Sequence, residues 1–456
     1  MALTAALGSF VTSLDSSAVN AVLPVIRAAF HTTIPIVQWV LLGELLVTSG
    51  LLLAFGRLGD QLGHKRLYLA GLRVFVLGCA FCAAAPSVDL LIAFRIVQGI
   101  GAAMLLATSP ALLVKSFPAE RRGQALGLRA SLIYLGLSAG PVVGSWLTGY
   151  YGWRAVFYMQ LPVVVVGLTL AQRVIPDDPP TTRQKWFDFP GAATWTCGLA
   201  ALVFALNRGN AWGWTSPAVL LLLLLCAALL IAFLRTERRS PNAIIDLTLF
   251  ARSAFSLSVA ALVLSFVSGY LLTFLLPFYL VQGRHMLPSR AGLLLGAYGL
   301  TRATVAPLGG RLSDRIGSRL PATFGATMLA LGSFLLSRLT PHSSPGVLIA
   351  GVLIAGSGIG IFVPPNNNML MSAVPRSLQG IASGMLATSR TVGMAIGVAL
   401  AGGVRASDAG FALAAGIALL TALICAAACP IRKTTRGVFA GRQGIGKLVE
   451  GLQRPS

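Results

Sequence analysis

The stretch Gly56–Arg66, which reads GRLGDQLGHKR, is a short basic loop between two long apolar runs. A close copy, GRLSDRIGSR at Gly310–Arg319, lies between two further apolar runs. Asp60 and Asp314 hold the same place in the two copies and are 254 positions apart. A basic loop that recurs in this way predicts two related helical bundles in one chain.

The composition predicts a membrane protein. Of the 456 residues, 56% are hydrophobic and 11% are charged, and the mean hydropathy is +0.80. A soluble chain of this length does not need so much apolar surface, so the lipid bilayer is the expected partner. The formal net charge of +22 would suggest nucleic acid in a soluble protein. Here the Lys and Arg residues lie in short loops, as the positive-inside rule predicts, and no nucleic-acid partner is expected.

Fourteen apolar runs reach the length of about 20 residues that a membrane-spanning helix needs, in groups of six, two and six. They are 4–26, 36–57, 67–86, 90–114, 125–149, 154–172, 190–207, 217–234, 254–281, 290–309, 320–339, 346–372, 380–402 and 408–429. The expected fold class is therefore an all-α membrane protein. The predicted regions are a six-helix bundle (1–172), linkers with two inserted helices (173–253), a second six-helix bundle (254–429) and a basic tail (430–456).

The positive charges predict the orientation of these helices. With the N-terminus inside, 24 Lys and Arg residues fall in inside loops and the tail, and 7 fall in outside loops. One missed or extra helix would scramble this alternation, so both termini are expected to be cytoplasmic. The first run starts almost at Met1 and contains Asp15, which favours a retained helix over a cleaved signal peptide.

Two of the thirteen acidic residues lie deep within predicted helices. Asp15 lies about 11 residues into its helix and Glu44 about 8 residues from the outer end of the next, at 1.5 Å per residue. An ionised carboxylate at this depth must be paired, solvated or protonated. A carboxyl that binds and releases a proton as its surroundings change can couple protons to transport. Each acid is a candidate proton site, and a fixed structural ion pair is the alternative.

Three arginines, Arg95, Arg302 and Arg390, are also deeply embedded. A cation beside a carboxylate stabilises the ionised form and can help to eject a proton. Three cations against two anions leave one excess positive charge, which suits an anionic substrate. Asn366 and Asn367 follow two prolines that are predicted to interrupt the twelfth helix. These amides either bind substrate from a cavity wall or satisfy backbone groups that the prolines free.

Several of these stretches resemble motifs of the major facilitator superfamily. The two basic loops resemble its cytoplasmic loop motif, G-x-L-a-D-r-x-G-r-k-r. Leu14–Pro24 resembles the L-D-x-T-x-V-N-V-A-L-P signature on the first helix of the fourteen-helix drug:proton antiporters. Arg95–Ala102 resembles the R-x-x-q-G-x-g-a motif, in which the resemblance implies a role for the arginine in proton transfer. Gly384–Gly393, which contains Arg390, resembles the S-G-x-x-x-t-s-R-q-x-G pattern.

The fifth helix carries GLSAGPVVGS, which is similar to the antiporter motif G-x-x-x-G-P-x-x-G-G. Its motif residues are Gly136, Gly140, Pro141 and Gly144. Small residues at four-residue spacing let helices approach closely, and proline bends a helix. The resemblance implies a hinge that enforces exchange, and plain helix packing is the alternative.

The resemblance also implies that the duplicated loops form a cytoplasmic gate. Aspartates at helix ends can pair with arginines of the other bundle and with helix N-termini, and such pairs would break when the bundles rock. A solvated basic turn is the alternative. The expected gate residues are Gly56, Asp60, Gly63, Arg66, Gly310, Asp314 and Gly317.

The resemblance covers most of the chain, from Leu14 to Gly397. It implies a major facilitator fold with two six-helix bundles and two inserted helices. It also implies proton-coupled export of drugs or other small amphipathic molecules by alternating access. The expected partners are a small-molecule substrate and protons, and the expected state is a monomer in a bacterial cell membrane. The alternative is export of a specific anionic or neutral metabolite, lipid or antibiotic, with Arg302 and Arg390 as contacts.

No enzyme, cofactor or metal is expected from the sequence. Cys79 and Cys82 form a C-x-x-C, but no second ligand pair follows and both lie inside a predicted helix. No His, Cys and Asp residues have the spacing of a metal site or a nucleophilic triad. The proton gradient is expected to drive transport.

Overall fold

The computed structural model describes residues 1–117, 122–177, 189–239, 247–340, 343–374, 379–403 and 407–427. Within these ranges every regular element is a helix, which confirms the predicted all-α class. The basic tail at 430–456 and parts of both predicted linkers lie outside the described residues.

The chain forms sixteen α-helices in its described parts. The first half has α1 (Ala2–Ala29), α2 (Ile34–Val37), α3 (Trp39–Leu62), α4 (His64–Ala84), α5 (Val88–Lys115), α6 (Arg122–Tyr151), α7 (Ala155–Tyr158) and α8 (Gln160–Val174). An inserted pair follows, α9 (Phe189–Trp212) and α10 (Pro217–Arg239). The second half has α11 (Ser253–Phe278), α12 (Pro288–Ile316), α13 (Arg319–Ser337), α14 (Pro345–Ser372), α15 (Gln379–Gly403) and α16 (Ser407–Ala427).

Twelve segments of the described residues are long and apolar enough to cross a membrane. Three of them are composite, because α2 continues into α3, α7 continues into α8, and α11 continues into a π-helix at Tyr279–Gly283. The twelve do not include α9 and α12. In α12, Arg302 lies between Thr301 and Thr304 near the centre, which lowers the hydropathy of the helix. The count of fourteen spanning helices stays a prediction.

The two halves repeat one packing arrangement. In the first half α1 packs on α6, α3 and α4 pack on α5, and α4 packs on α8. In the second half α11 packs on α15, α12 and α13 pack on α14, and α13 packs on α16. The halves meet where α6 contacts α12 and where α15 contacts α3, which are equivalent pairs. This internal repeat agrees with the duplicated loop.

The two basic segments, which are predicted as loops, are helical except for short turns at Gly63 and at Gly317–Ser318, and these turns have the same backbone geometry. Gly63 ends α3 with φ of 92°, and Gly317 ends α12 with φ of 86°. Glycine adopts a positive φ at little cost, whereas other residues resist it. The N–H groups of Gly63 and Gly317 donate to the carbonyls of Gly59 (2.9 Å) and Ser313 (3.1 Å). The last glycine of each copy is therefore required by the tight turn into the next helix.

The inserted pair lies outside the seam where the halves meet. Helix α9 packs on α10 and also on α3 and α15, which belong to different halves. Helix α10 exposes much of its apolar surface, with Leu221 and Leu224 each about two-thirds exposed (65% and 66%). An apolar surface of this kind fits contact with lipid.

Helix α14 corrects the prediction of an interrupted twelfth helix. It runs without a break from Pro345 to Ser372 through Pro364 and Pro365. Neighbouring helices can support a membrane helix at its prolines. Here α12 approaches very closely, because a Cβ atom added at Gly309 would lie 2.6 Å from the Ile361 carbonyl oxygen.

Candidate functional site

A cavity of about 380 Å³ lies between the two halves. The first half contributes walls from α1, α3, α5 and α6, and the second half contributes walls from α11, α12, α14 and α15. Small-molecule sites in proteins are commonly ~300–1,000 Å³ in volume. The cavity is therefore large enough for a small organic molecule, and its polar lining includes Ser16, Glu44, Arg129, Tyr134, Tyr270, Arg302, Asn367 and Arg390.

Hydrogen bonds join the two halves at one end of this cavity, the end away from the basic loops. The side chain of Asn20 donates from Nδ2 to the Thr273 carbonyl at 2.9 Å. Arg27 donates from Nη1 to Gln282 Oε1 at 2.5 Å. The first bond connects α1 with α11, and the second connects α1 with the π-helix at Tyr279–Gly283. We call this the closed end.

The inserted helix α9 takes part in the closed end. Gln38 donates from Nε2 to the Val398 carbonyl of α15, and so joins the halves. Asn207 of α9 donates from Nδ2 to Gln38 Oε1 at 2.6 Å. The Trp39 indole N–H donates to Asn207 Oδ1 at 3.2 Å. One buried chain of hydrogen bonds therefore connects both halves and the inserted pair.

The opposite end of the cavity reaches toward the basic loops. Met371, in the last turn of α14, lines the cavity. At this end Asp60 Oδ1 lies 3.4 Å from His64 Nε2, and Lys65 Nζ lies 2.8 Å from Asp177 Oδ1. The first contact lies within the first half, and the second joins the first half to the segment that follows α8. The predicted gate role of the loops stays a prediction.

The first half contains a buried ion cluster of Asp15, Glu44 and Arg95, which come from α1, α3 and α5. Arg95 donates from Nη1 to Asp15 Oδ2 at 2.7 Å and from Nη2 to Glu44 Oε2. Its Nε donates to the Val40 carbonyl at 2.9 Å. The structure thus brings together three of the residues that the sequence marks as candidate proton-coupling groups.

Two glutamines complete the surroundings of Asp15. Asp15 Oδ1 accepts from Gln160 Nε2 at 2.7 Å and from Gln98 Nε2 at 3.2 Å. Gln98 Oε1 in turn accepts from Arg95 Nη1 at 2.8 Å. Asp15, Arg95 and both glutamines are fully buried. Both oxygens of this carboxylate are therefore held by protein donors, as buried charge requires.

This geometry explains the sequence R-x-x-Q-G on α5. Arg95 and Gln98 are three residues apart, so both point to the same face of the helix. A Cβ atom added at Gly99 would lie 3.0 Å from Glu44 Cα. The glycine therefore lets α5 approach α3 closely where Glu44 binds Arg95.

Glu44 differs from Asp15 in its access to the cavity. Glu44 lines the cavity, whereas Asp15 is enclosed by Arg95 and the two glutamines. Two carboxylates and one guanidinium carry a net charge of −1 when all are ionised, and adding one proton makes the cluster neutral. A neutral cluster is favoured in a low-dielectric site. The cluster is thus suited to hold one proton, with Glu44 as the group in contact with the cavity.

A second set of cations also lines the cavity. Arg302 of α12 and Arg390 of α15 line the wall, as does Arg129 of α6. Arg129 is one of the 24 basic residues that the charge count assigns to the inside, but the structure places it within a helix, where its Nε donates to Ser9 Oγ at 3.0 Å. The predicted helix at 125–149 contains this position, and Ile133 and Leu137, one and two turns later, also line the cavity.

The two candidate asparagines of α14, Asn366 and Asn367, have different positions. Asn366 is fully buried and donates from Nδ2 to the Ser258 carbonyl at 3.0 Å, which joins α14 to α11. Asn367 lines the cavity. Only Asn367 is placed to contact a molecule in the cavity.

The glycines of the fifth-helix motif form a packing seam between α6 and α1. A Cβ atom added at Gly136 would lie 2.7 Å from the Phe10 carbonyl oxygen, and one at Gly140 would lie 2.7 Å from the Leu14 carbonyl oxygen. A Cβ atom at Gly144 would lie 2.9 Å from a methyl group of α1. These contacts account for the spacing of the glycines, and the hinge stays a prediction.

Comparison with known proteins gives a consistent result. A sequence model described as the Major Facilitator Superfamily matches residues 5–258 and 257–454. The multidrug resistance protein Stp of Mycobacterium tuberculosis (strain CDC 1551 / Oshkosh) is 34% identical over 402 residues, which cover 88% of this chain and 74% of that protein. The methylenomycin A resistance protein of Streptomyces coelicolor is 32% identical over 425 residues, which cover 91% of this chain and 87% of that protein.

The fold also matches a solved transporter. A crystal structure of the peptide transporter POT has a TM-score of 0.70 to this chain at 18% sequence identity, over 93% of each chain. At this identity the match shows the fold alone.

Proposed function

The chain belongs to the Major Facilitator Superfamily, and on that premise we propose that it is a proton-coupled secondary transporter that exports drugs or other small amphipathic molecules. The observation that carries the proposal is the buried ion cluster at the wall of a cavity between the two halves. The cluster places a carboxyl that can exchange a proton beside the space where a substrate would bind.

The proposed topology has fourteen spanning helices with both termini in the cytoplasm. The distribution of Lys and Arg supports it, because positive charges concentrate in the loops that this topology places inside. The basic loops then lie at the cytoplasmic surface. In this topology the closed end would face outward, and the cavity would load substrate from the cytoplasmic side.

Alternating access would follow from rocking of the two halves around the cavity. In the outward-facing state the hydrogen bonds of Asn20 and Gln38 to the second half break. The basic loops then close the cytoplasmic end, with Asp60 and Asp314 as the acidic gate groups. In this scheme the close packing of α6 on α1 prevents a proton leak along that seam.

Proton coupling is assigned to Glu44, held by Arg95 and supported by Asp15. In the outward-facing state a proton from outside neutralises the cluster and substrate leaves. In the inward-facing state the proton passes from Glu44 through the cavity to the cytoplasm. Arg95 helps this release because a neighbouring cation stabilises the ionised carboxylate. The proton gradient supplies the energy, so the scheme needs no cofactor or metal.

Export of drugs is supported by the relatives that are named for multidrug resistance and for methylenomycin A resistance. Both relatives are bacterial, which supports a bacterial cell membrane as the location. Both halves of one chain enclose the cavity, so the proposed transport unit is a monomer.

The proposal is tested by transport in proteoliposomes that contain the full chain. A panel of labelled cationic, neutral and anionic aromatic compounds is offered with an imposed pH gradient. We expect at least one compound to accumulate against its concentration gradient, and a protonophore to abolish that accumulation. Transport that only equilibrates the compound, and that a protonophore does not change, would contradict proton coupling. Absence of transport for the whole panel would contradict the export function.

A further inference from the structure

The charges on the cavity wall are strongly unbalanced. The wall carries three arginines, Arg129, Arg302 and Arg390, which we call the arginine group. It carries one carboxylate, Glu44, which is already bound by Arg95. The ion pairs found among the described residues do not involve any member of the arginine group. The cavity is therefore formally cationic without a counterion from the described part of the chain.

Arg302 has a donor that the described residues leave without a partner. Its side chain is buried, with 5% exposure, and Nε has no hydrogen-bond partner among these residues. Its guanidinium lies over the Tyr298 ring, 5.7 Å from the ring centre. This contact does not supply a hydrogen-bond acceptor for Nε. Buried donors are normally satisfied, so this group is suited to bind an acceptor from outside the protein.

Arg390 adds a second positive charge close to the first. The Arg390 guanidinium is close enough to Arg302 and Arg129 to be repelled by both. Its guanidinium is 5.5 Å from the centre of the Phe266 ring. Holding like charges together in a site of low dielectric is costly unless an anion joins them.

The cavity wall around these arginines is aromatic. Tyr134, Phe266 and Tyr270 line the same cavity. Aromatic rings pack well against flat apolar surfaces and against each other. The cavity lining therefore fits a molecule that has an anionic group for the arginines and a planar ring for the aromatic side chains.

We infer that the physiological substrate is an aromatic anion, such as a carboxylate or phenolate, bound by Arg302 and Arg390 with its ring against Phe266 and Tyr270. This inference rests on the proposed export function and names its substrate class. The anion and the proton bind at different groups, the anion at Arg302 and Arg390 and the proton at Glu44. The two therefore interact through the rocking of the halves and do not compete for one group.

The charge of the substrate has a measurable consequence for transport. Exchange of one inward proton for one outward monoanion moves two positive charge equivalents inward. Exchange of a proton for a neutral molecule moves one, and exchange for a monocation moves none. A negative potential inside the cell favours inward movement of positive charge, so an anion exporter would use the membrane potential most fully.

Binding is tested with three probes that share one ring and differ in charge: 1-naphthoate, 1-naphthalenemethanol and 1-naphthylmethylammonium. Calorimetry on the purified full chain should show naphthoate binding at least tenfold tighter than either other probe. Arg302→Gln and Arg390→Gln should each weaken naphthoate binding at least tenfold. Arg302→Lys should retain more affinity than Arg302→Gln, because it keeps the charge and so separates a binding role from a folding defect.

The matched control is Arg338→Gln, the same change at an exposed arginine that stacks on Phe334 outside the cavity. It should leave naphthoate binding unchanged. The inference is overturned if the ammonium probe binds more tightly than naphthoate. It is also overturned if the folded Arg302→Gln variant binds naphthoate as the wild type does.

Transport separates failure of this inference from failure of the proposed function. In proteoliposomes the charge moved per naphthoate should approach two. Proton-driven transport of the cation without naphthoate binding would keep the export function and reject the anion site. Tight naphthoate binding without transport of any probe would keep the site and reject export.

Discussion

At the scale of single residues, Arg95 has the central position because one guanidinium binds two buried carboxylates. Asp15 receives further hydrogen bonds from Gln98 and Gln160, so all of its acceptors face protein donors. Glu44 shares Arg95 but also borders the cavity. The same cation therefore supports one enclosed acid and one accessible acid.

Substitution Arg95→Met should leave two buried carboxylates without a counterion. Breaking a buried ion pair by removing one partner costs about 3–5 kcal/mol, and we expect a loss of this size in the free energy of unfolding. The free energy of unfolding is measured by reversible unfolding of the purified protein in micelles that mix a mild detergent with a denaturing detergent. The matched control is Arg73→Met, because Arg73 is an exposed arginine of α4 and should change stability little. Equal stability of the Arg95 and Arg73 variants would contradict the proposed role of the cation.

At the scale of helices, glycines of α6 and α12 let α6 lie in contact with two neighbours at once. Gly136 and Gly140 face α1, and Gly296 and Gly299 of α12 face α6 from the other side. A Cβ atom at Gly299 would lie 2.9 Å from Ser138 Cα. Helix α6 is thus packed closely against its own half and against the opposite half.

Substitution Gly140→Val should disrupt this packing. The added side chain would meet the backbone of α1, which cannot rotate away as a flexible side chain can. We expect at least a tenfold loss of transport, with lower thermal stability of the purified protein. Gly149→Val in the same helix is the matched control, because a Cβ atom there meets nothing within 4 Å. Normal transport by the Gly140 variant would show that the close approach is not needed.

The inserted pair also has a structural role at this scale. Asn207 binds Gln38, and Gln38 binds the backbone of α15, so α9 supports the contact that closes one end of the cavity. A helix pair that only faced lipid would not need a buried amide at this position.

Substitution Asn207→Ala should shift the chain toward opening of the closed end. The readout is labelling of a single cysteine, introduced as Ala21→Cys in a cysteine-free chain, with a membrane-impermeant maleimide added from outside. Position 21 lines a small pocket of about 30 Å³ at the closed end of the cavity. We expect labelling to become at least threefold faster. Thr236→Ala in α10 is the control, because its hydroxyl donates to the Ala232 carbonyl of its own helix. Unchanged labelling would mean that α9 does not stabilise the closed end.

At the scale of the whole molecule, the duplicated loop predicts the internal repeat correctly because equivalent turns need equivalent residues. Gly63 and Gly317 have the same positive φ, and the halves that they connect repeat the same helix contacts. The apolar runs likewise predict the helices, since a spanning segment must satisfy its backbone internally.

The site was only partly predictable because its residues come from helices that are distant in sequence. Depth in a helix marks Asp15, Glu44 and Arg95 as unusual, but it does not show that they touch. Gln160 lies 145 positions from Asp15, and nothing local indicates this hydrogen bond. Arg129 was missed because an arginine near a predicted helix end is normally solvated.

The face of a helix that a residue occupies was equally hard to predict. Asn366 and Asn367 are adjacent, yet one joins two helices and the other lines the cavity. The uninterrupted course of α14 coincides with the close approach of Gly309 on α12, which is a tertiary contact. Such contacts are set by the assembled bundle and leave no local pattern.

The central claim is that Glu44 couples proton movement to transport by the whole molecule. It is tested most directly by comparing two assays on Glu44→Gln, Asp15→Asn and the wild type in proteoliposomes. One assay is transport driven by a pH gradient, and the other is exchange of labelled for unlabelled substrate without a gradient. Glu44→Gln cannot exchange a proton at this position, so it should retain substrate exchange within about threefold and lose gradient-driven accumulation. Gradient-driven accumulation by Glu44→Gln at the wild-type level would contradict the account, and loss in Asp15→Asn alone would move the coupling site to the enclosed acid.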